Sequence, residues 1–164
     1  MKKIIAIVLF AATSLSPVAF GGNKTLNNEQ SSIRIEITTP FIEYSSVEEA
    51  EKAVGFDVDT LSNIPDGFEQ DSIFVISDKC VEVNFKNGEK EICYRVAQGS
   101  VDISGDYNKY TENITVRIND TEVVTKGNSG KINVATWTKD GMTYSLSTSG
   151  LEKTIVIELI SSII

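Results

Sequence analysis

The chain of 164 residues contains no histidine. That excludes Ser-His-Asp and Cys-His catalysis, histidine-ligated zinc, and the one side chain that ordinarily titrates near neutrality. Cysteine is nearly absent as well, with Cys80 and Cys93 the only two. Two thiols without a third ligand or an adjacent base do not make a structural metal site or an activated nucleophile. Cationic residues are the minority, 15 Lys and Arg against 23 Asp and Glu, for a formal net charge of −8. Such a surface repels nucleic acid and anionic lipid headgroups. Long apolar runs are missing too. The longest, Ile4 to Ala12, is well short of the roughly 20 residues of a spanning helix.

What is present at the N-terminus is an address. Lys2 and Lys3 precede that short apolar run, and a polar, Pro-containing stretch with small residues follows it. This order reads as a secretory signal peptide over residues 1–21. The Ala19-Phe20-Gly21 site would leave Gly22 as the mature N-terminus, with no cysteine there to take a lipid. The expectation is a secreted protein with no stable membrane anchor after cleavage. Losing Lys2 and Lys3 leaves 13 basic residues against 23 acidic ones, a net charge of −10. Residues 22–32, polar and rich in Gly and Asn, read as a flexible leader. Residues 33–164 read as one domain, long enough to bury a core.

Within that domain, Ser31 to Thr38 alternates Ile33, Ile35 and Ile37 with Arg34, Glu36 and Thr38, the pattern of a half-buried strand that Pro40 ends. Ser46-Val-Glu-Glu49 is a capping box, and Gly55 suits the position after a short helix. Three strands follow, Phe68 to Ser77, Cys80 to Phe85 and Glu89 to Ala97. Turns at Asp78-Lys79 and Asn87-Gly88 would join them. These turns place Phe74, Ile76, Val81, Val83, Phe85, Ile92, Tyr94 and Val96 on one apolar face. Residues 101–113 are irregular and cross to a second half.

There, Ile114 to Ile118 pairs with Thr121 to Lys126 around Asn119-Asp120. Gly127 to Gly130 is a loop, and Lys131 to Lys139 pairs with Met142 to Thr148 around Asp140-Gly141. That hairpin sets Trp137 against Tyr144 and Ala135 against Leu146. Ser149-Gly-Leu-Glu152 reads as a second capping box, opening a closing helix with Leu151, Ile155, Leu159 and Ile163 inward. The expected fold is α+β. It is a largely antiparallel sheet of about seven strands in hairpins and meanders, with a short N-terminal and a C-terminal helix packed on one face.

Several groupings carry some chemistry. Export permits a Cys80–Cys93 disulfide. A two-residue turn at Asn87-Gly88 makes the two cysteines diagonal neighbours, and a direct pair needs a four-residue loop, Phe85 to Gly88. Both registers keep the apolar face. Oxygen-bearing side chains at alternate positions, Asp102, Ser104, Asp106 and Asn108, faintly resemble a calcium loop. The glycine is misplaced and the closing carboxylate is missing, so an Asp/Ser/Gly-rich turn is the reading adopted, with no metal and no cofactor. Asp57 with Asp59, or Asp102 with Asp106, are the available carboxylate pairs for a hydrolase. Tyr107, Tyr110, Tyr144 and Trp137 belong to the core or its rim more readily than to a ligand groove. Gly127 to Gly130 lacks the lysine and helix of a phosphate loop.

Three segments, Thr39 to Phe56, Asp102 to Tyr110 and Ala135 to Leu151, resemble an uncharacterised extracytoplasmic domain family of Firmicutes, clostridial relatives in particular. Its members are commonly carried outside a single membrane helix, sometimes on proteins resembling anti-sigma or sensor components. The resemblance runs from Pro40 to Ile164, and its most specific piece is Ser104 to Asn108. It implies an extracytoplasmic α+β module and assigns no catalytic residue. This chain departs from the usual arrangement by its cleavable signal. The expected function is a secreted, non-enzymatic binding or interaction module, with Asp102, Ser104, Asp106, Tyr107, Asn108 and Tyr110 as the contact loop for a protein, glycan or small ligand. The alternatives are a carrier of an apolar ligand between sheet and helices, and a carboxylate-dependent hydrolase.

Overall fold

The computed structural model describes residues 40–164. The expected signal peptide, the expected leader and the strand expected at Ser31 to Thr38 lie outside the described residues. The described chain forms one eight-stranded antiparallel sheet and two helices. The strands are β1 (Phe41–Tyr44), β2 (Glu69–Ile76), β3 (Cys80–Asn87), β4 (Lys90–Gln98), β5 (Glu112–Ile118), β6 (Thr121–Asn128), β7 (Lys131–Lys139) and β8 (Met142–Glu152). The helices are α1 (Val47–Val54) and α2 (Lys153–Ser161). Neither is long and apolar enough to cross a membrane.

The spatial order is β1-β2-β3-β4-β8-β7-β6-β5. Each half of the chain is thus a four-stranded meander, and the last strands of the two meanders, β4 and β8, pair at the centre. The count is eight rather than seven. The strand that expectation omitted is β1, which begins just after Pro40 and occupies an edge, where a proline at the first position is tolerated. The Pro40 carbonyl accepts from Ser77 N at 2.8 Å, so the proline starts the pairing of β1 with β2.

Side-chain alternation gives the sheet two unlike faces. Ile73, Val75, Val81, Val83, Ile92, Tyr94, Val96, Val123, Trp137, Tyr144 and Leu146 line one face, all buried. Helix α1 and helix α2 join the same core through Ala50 and through Val156, Leu159 and Ile160. Trp137 stacks on Tyr144 at 5.2 Å with the rings 4° from parallel. Helix α1 is capped as its sequence demands. The Ser46 hydroxyl accepts from Glu49 N, and Gly55 turns left-handed (φ 79°) while its N–H reaches Glu51 O.

Four local expectations fail, each for a geometric reason. The β2–β3 connection is a three-residue turn with Ser77 and Asp78 at positive φ, not a two-residue turn. One extra residue flips the side chains from Ser72 to Ile76 to the other face, up to a bulge between Gln70 and Ser72. Ile73 and Val75 therefore point into the core, and Phe74 and Ile76 are only partly covered. Phe74 meets Phe41 edge-on at 6.1 Å instead. The β3–β4 turn is centred on Gly88-Glu89, so Val83 faces Tyr94 rather than Ile92. That shift of two preserves the apolar face.

The closing helix starts later than its apolar spacing suggests. Strand β8 runs on to Glu152, the Ser149 hydroxyl bonds Glu91 in β4, and no side chain caps α2. Its inward residues are Val156, Leu159 and Ile160. The Gly127–Gly130 loop is in fact strand and turn. Gly127 sits at a bulge in β6 where a Cβ would lie 1.9 Å from the Lys131 carbonyl oxygen, and Ser129-Gly130 supply the two positive φ values of a type I′ turn.

The face reversal in β2 is directly testable. Val75→Asp puts an unpaired charge into the core and should cost about 4 kcal/mol or more in urea unfolding. Ile76→Asp, on the partly covered face, should cost only about 1–2 kcal/mol. The reverse ranking would restore the two-residue register.

Candidate functional site

The second face of the sheet is polar, and chemistry collects there. Residues 99–111 leave β4 and cross this face to reach β5. Their path is fixed by a buried ion pair. Glu82 of β3 faces Arg95 of β4 and is 6 % exposed. Arg95 Nε donates to Glu82 Oε2 at 2.6 Å, and Asn84 Nδ2 donates to Oε1 at 2.8 Å. A buried pair survives desolvation only if its remaining donors find partners. The crossover supplies them, since Arg95 Nη1 donates to the carbonyl oxygens of Ile103 (3.0 Å) and Ser104 (2.6 Å). Thr143 Oγ1 holds the Val101 carbonyl at 3.0 Å, and Asn128 Oδ1 holds Thr111 at the far end. Gly105 passes so close that a Cβ would lie 2.7 Å from Arg95 Nη1, and its φ of +64° is unfavourable for other residues.

Between these anchors, the alternation at 102, 104, 106 and 108 has a plain structural use. Asp102 Oδ1 accepts from Ser104 N (2.8 Å), Ser104 Oγ from Asp106 N (3.3 Å), and Asp106 Oδ1 from Asn108 N (3.3 Å) and Nδ2 (2.6 Å). Each side chain closes a turn two residues on. The oxygens that faintly resembled a calcium loop are thus spent on the backbone. Among the described residues, no group of three or more Cys, Asp or Glu converges as metal ligands. Burial raises the Asp102 pKa, but the Ser104 hydrogen bonds and Lys126, 3.8 Å from Oδ2, outweigh it and hold the carboxyl below its ordinary range.

The six expected contact residues therefore separate. Asp102, Ser104, Asp106 and Asn108 build the loop. Tyr110 is half-buried, its phenol pushed up by burial and then by the charge of Asp106. Tyr107 points into solvent, 96 % exposed. Asp106 Oδ2 is buried without a hydrogen-bond partner. Beside the loop lies a shallow groove of about 300 Å³ on the polar face, floored by Thr115, Thr136, Thr138 and Thr143 with Asp102 and Glu122. A second hollow, under Asp102 to Tyr107, adjoins it at Asp102. Asp57 and Asp59 have separate surroundings. Asp59 accepts from the Tyr144 hydroxyl at 3.1 Å, and Asp57 lines a hollow with Glu48 and Glu51.

Glu82, Asn84 and Arg95 are the residues that sequence reasoning passed over. Their signal, opposite charges facing across two strands, exists only in the observed register. A turn at Asn87-Gly88 would set Arg95 against Cys80. The same register separates the cysteines. Cys80 faces Ala97 and Cys93 faces Asn84, four positions apart along the strand, and both thiols are free. In this register the candidate disulfide partners Cys80 and Cys93 are not joined. Burial pushes Cys80 up to about 11 and Cys93 up to about 12, and Glu82 adds to both shifts.

Two outcomes follow from these contacts. Gly105→Ala should push the guanidinium off the crossover. Losing charge-assisted hydrogen bonds worth about 1.5–3 kcal/mol should speed amide exchange of residues 103–108 by about one to two orders of magnitude. Unchanged exchange would mean that Arg95 does not hold the loop. The thiols should resist iodoacetamide in the native protein at about pH 8 and react fully once it is denatured. Their folded pKa values lie above the unfolded ones, as does that of Tyr144 at about 12. Stability from these groups is thus whole below about pH 9 and falls as pH rises towards 12. A native protein alkylated at both positions would contradict this.

A family model described as "Domain of unknown function (DUF4367)" matches residues 60–163, well over half of the chain. The chain belongs to this family. No curated protein and no solved structure matches it.

Proposed function

We propose that this DUF4367 domain is an exported, non-enzymatic recognition module that meets its partner through the 102–110 crossover and the groove beside it. One observation carries the reading. Tyr107 is almost wholly exposed on a segment whose neighbours on both sides are tied down. An aromatic ring held in water by an ordered loop on a rigid sheet is the arrangement expected of a contact residue. The missing histidine removes the commonest catalytic groups. The carboxylates of the loop serve its own backbone, which leaves little for hydrolysis. Export is supported by the signal-peptide pattern of residues 1–21, and the acidic surface disfavours nucleic acid.

A second reading, a carrier of an apolar ligand between sheet and helices, draws on two buried groups of the apolar face. The Tyr94 hydroxyl and Trp137 Nε1 have no hydrogen-bond partner. Buried donors of that kind call for an acceptor.

One experiment separates the two readings. Wild-type protein is screened against panels of glycans, peptides and small metabolites, alongside native mass spectrometry of the freshly purified chain. The recognition module predicts a bound panel member whose affinity falls about tenfold in Tyr107→Ala and is retained in Tyr107→Phe, with a clean apo mass. A co-purified apolar mass with no Tyr107 dependence would favour the carrier instead.

A further inference from the structure

We infer that the groove on the polar face binds a non-anionic glycan chain, with Tyr107 as the stacking platform at its end. The inference rests on the recognition-module reading and adds the class of ligand.

The groove's composition is the starting point. Four threonines, Thr115, Thr136, Thr138 and the buried Thr143, contributed by β5, β7 and β8, line it together with Ser100, Val124 and Trp137. Each hydroxyl can donate one hydrogen bond and accept others. Thr143 already donates to Val101 O, which leaves its lone pairs. Asp102 and Glu122 add acceptors, and no Lys or Arg lines the groove. Lys126 lies nearby, engaged with Asp102 at 3.8 Å. A partner with many hydroxyls along its length matches this surface, because it too donates and accepts at every step.

Charge then narrows the class. An anionic chain would meet two carboxylates on a protein of net charge −8, so its own charge would be repelled rather than matched. Neutral or amine-bearing sugars meet no such penalty. Shape agrees with chemistry, since the groove is open and shallow on a sheet face and adjoins the Asp102–Tyr107 hollow. That suits a chain laid along it better than a small molecule, which needs an enclosing and largely apolar cavity. Tyr107, at the far side of that hollow, offers a solvent-facing ring against which the C–H face of a sugar can pack.

The probes are chitohexaose (neutral), its fully de-N-acetylated form (amine-bearing) and an oligogalacturonate (anionic), titrated into the full chain by calorimetry. Tyr107→Ala, Tyr107→Phe and Thr136→Val are compared after a check that each unfolds at the wild-type temperature. The expected result is binding of the first two probes and not the third, weakened about tenfold by Tyr107→Ala and by Thr136→Val but kept by Tyr107→Phe. Binding of the oligogalacturonate alone overturns the proposal, as does glycan binding that neither Tyr107→Ala nor Thr136→Val weakens. No binding of any probe also overturns it. In that case a peptide or metabolite whose binding still depends on Tyr107 leaves the recognition-module reading standing.

Discussion

The pairing of β4 with β8 is the constraint on which everything else depends. It is the only junction between the two meanders within the sheet, and it runs in register from Ile92↔Thr148 to Gln98↔Met142. On one side it sets Tyr94 beside Leu146 and Val96 beside Tyr144, the centre of the core roofed by both helices. On the other side it sets Arg95 beside Ser145, which is 1 % exposed. A small residue at that place leaves room for a guanidinium to lie over the sheet. A bulky one would push it outward, away from Glu82.

The polar face follows from that arrangement. Since β5 lies at the far edge of the sheet from β4's junction, the chain between them must travel across β8, β7 and β6. A connection of that length carries many backbone polar groups over a surface, and each needs a partner. The structure meets the need twice over. The Arg95 guanidinium and Thr143 hydroxyl take carbonyls, and the side chains at 102, 104 and 106 take N–H groups. The same interactions that satisfy the backbone hold Tyr107 out in solvent and wall one side of the threonine groove. Fold and candidate site therefore share one cause.

How much of this was legible depended on turn chemistry. Asp140-Gly141 demanded a two-residue hairpin, and the register it imposes brought Trp137 onto Tyr144 and Ala135 onto Leu146 as expected. Asn119-Asp120 behaved likewise. Ser77-Asp78-Lys79 did not advertise its length, because Ser and Asp tolerate positive φ without requiring it, so the reversal of Phe74 and Val75 stayed hidden. Asn87-Gly88 misled by one place, since Gly88 alone could serve as the first central residue of the turn. In the site, the spacing of Asp102, Ser104, Asp106 and Asn108 was visible as a turn-rich loop. The ion pair that anchors it was not.

By itself the sequence determined the α+β class, the two-faced alternation of the strands, the cap of α1 and the acidic, histidine-free chemistry. These follow from residue type and local spacing, and neighbours in the chain are enough to decide them. Only the tertiary structure decided which strands stand together at the centre, which residue of β3 faces Arg95, that the thiols stay apart, and that the Tyr107 ring stands in solvent. Those depend on register and on contacts between residues far apart in sequence. A shift of one or two positions there changes every cross-strand neighbour while leaving the local pattern almost untouched.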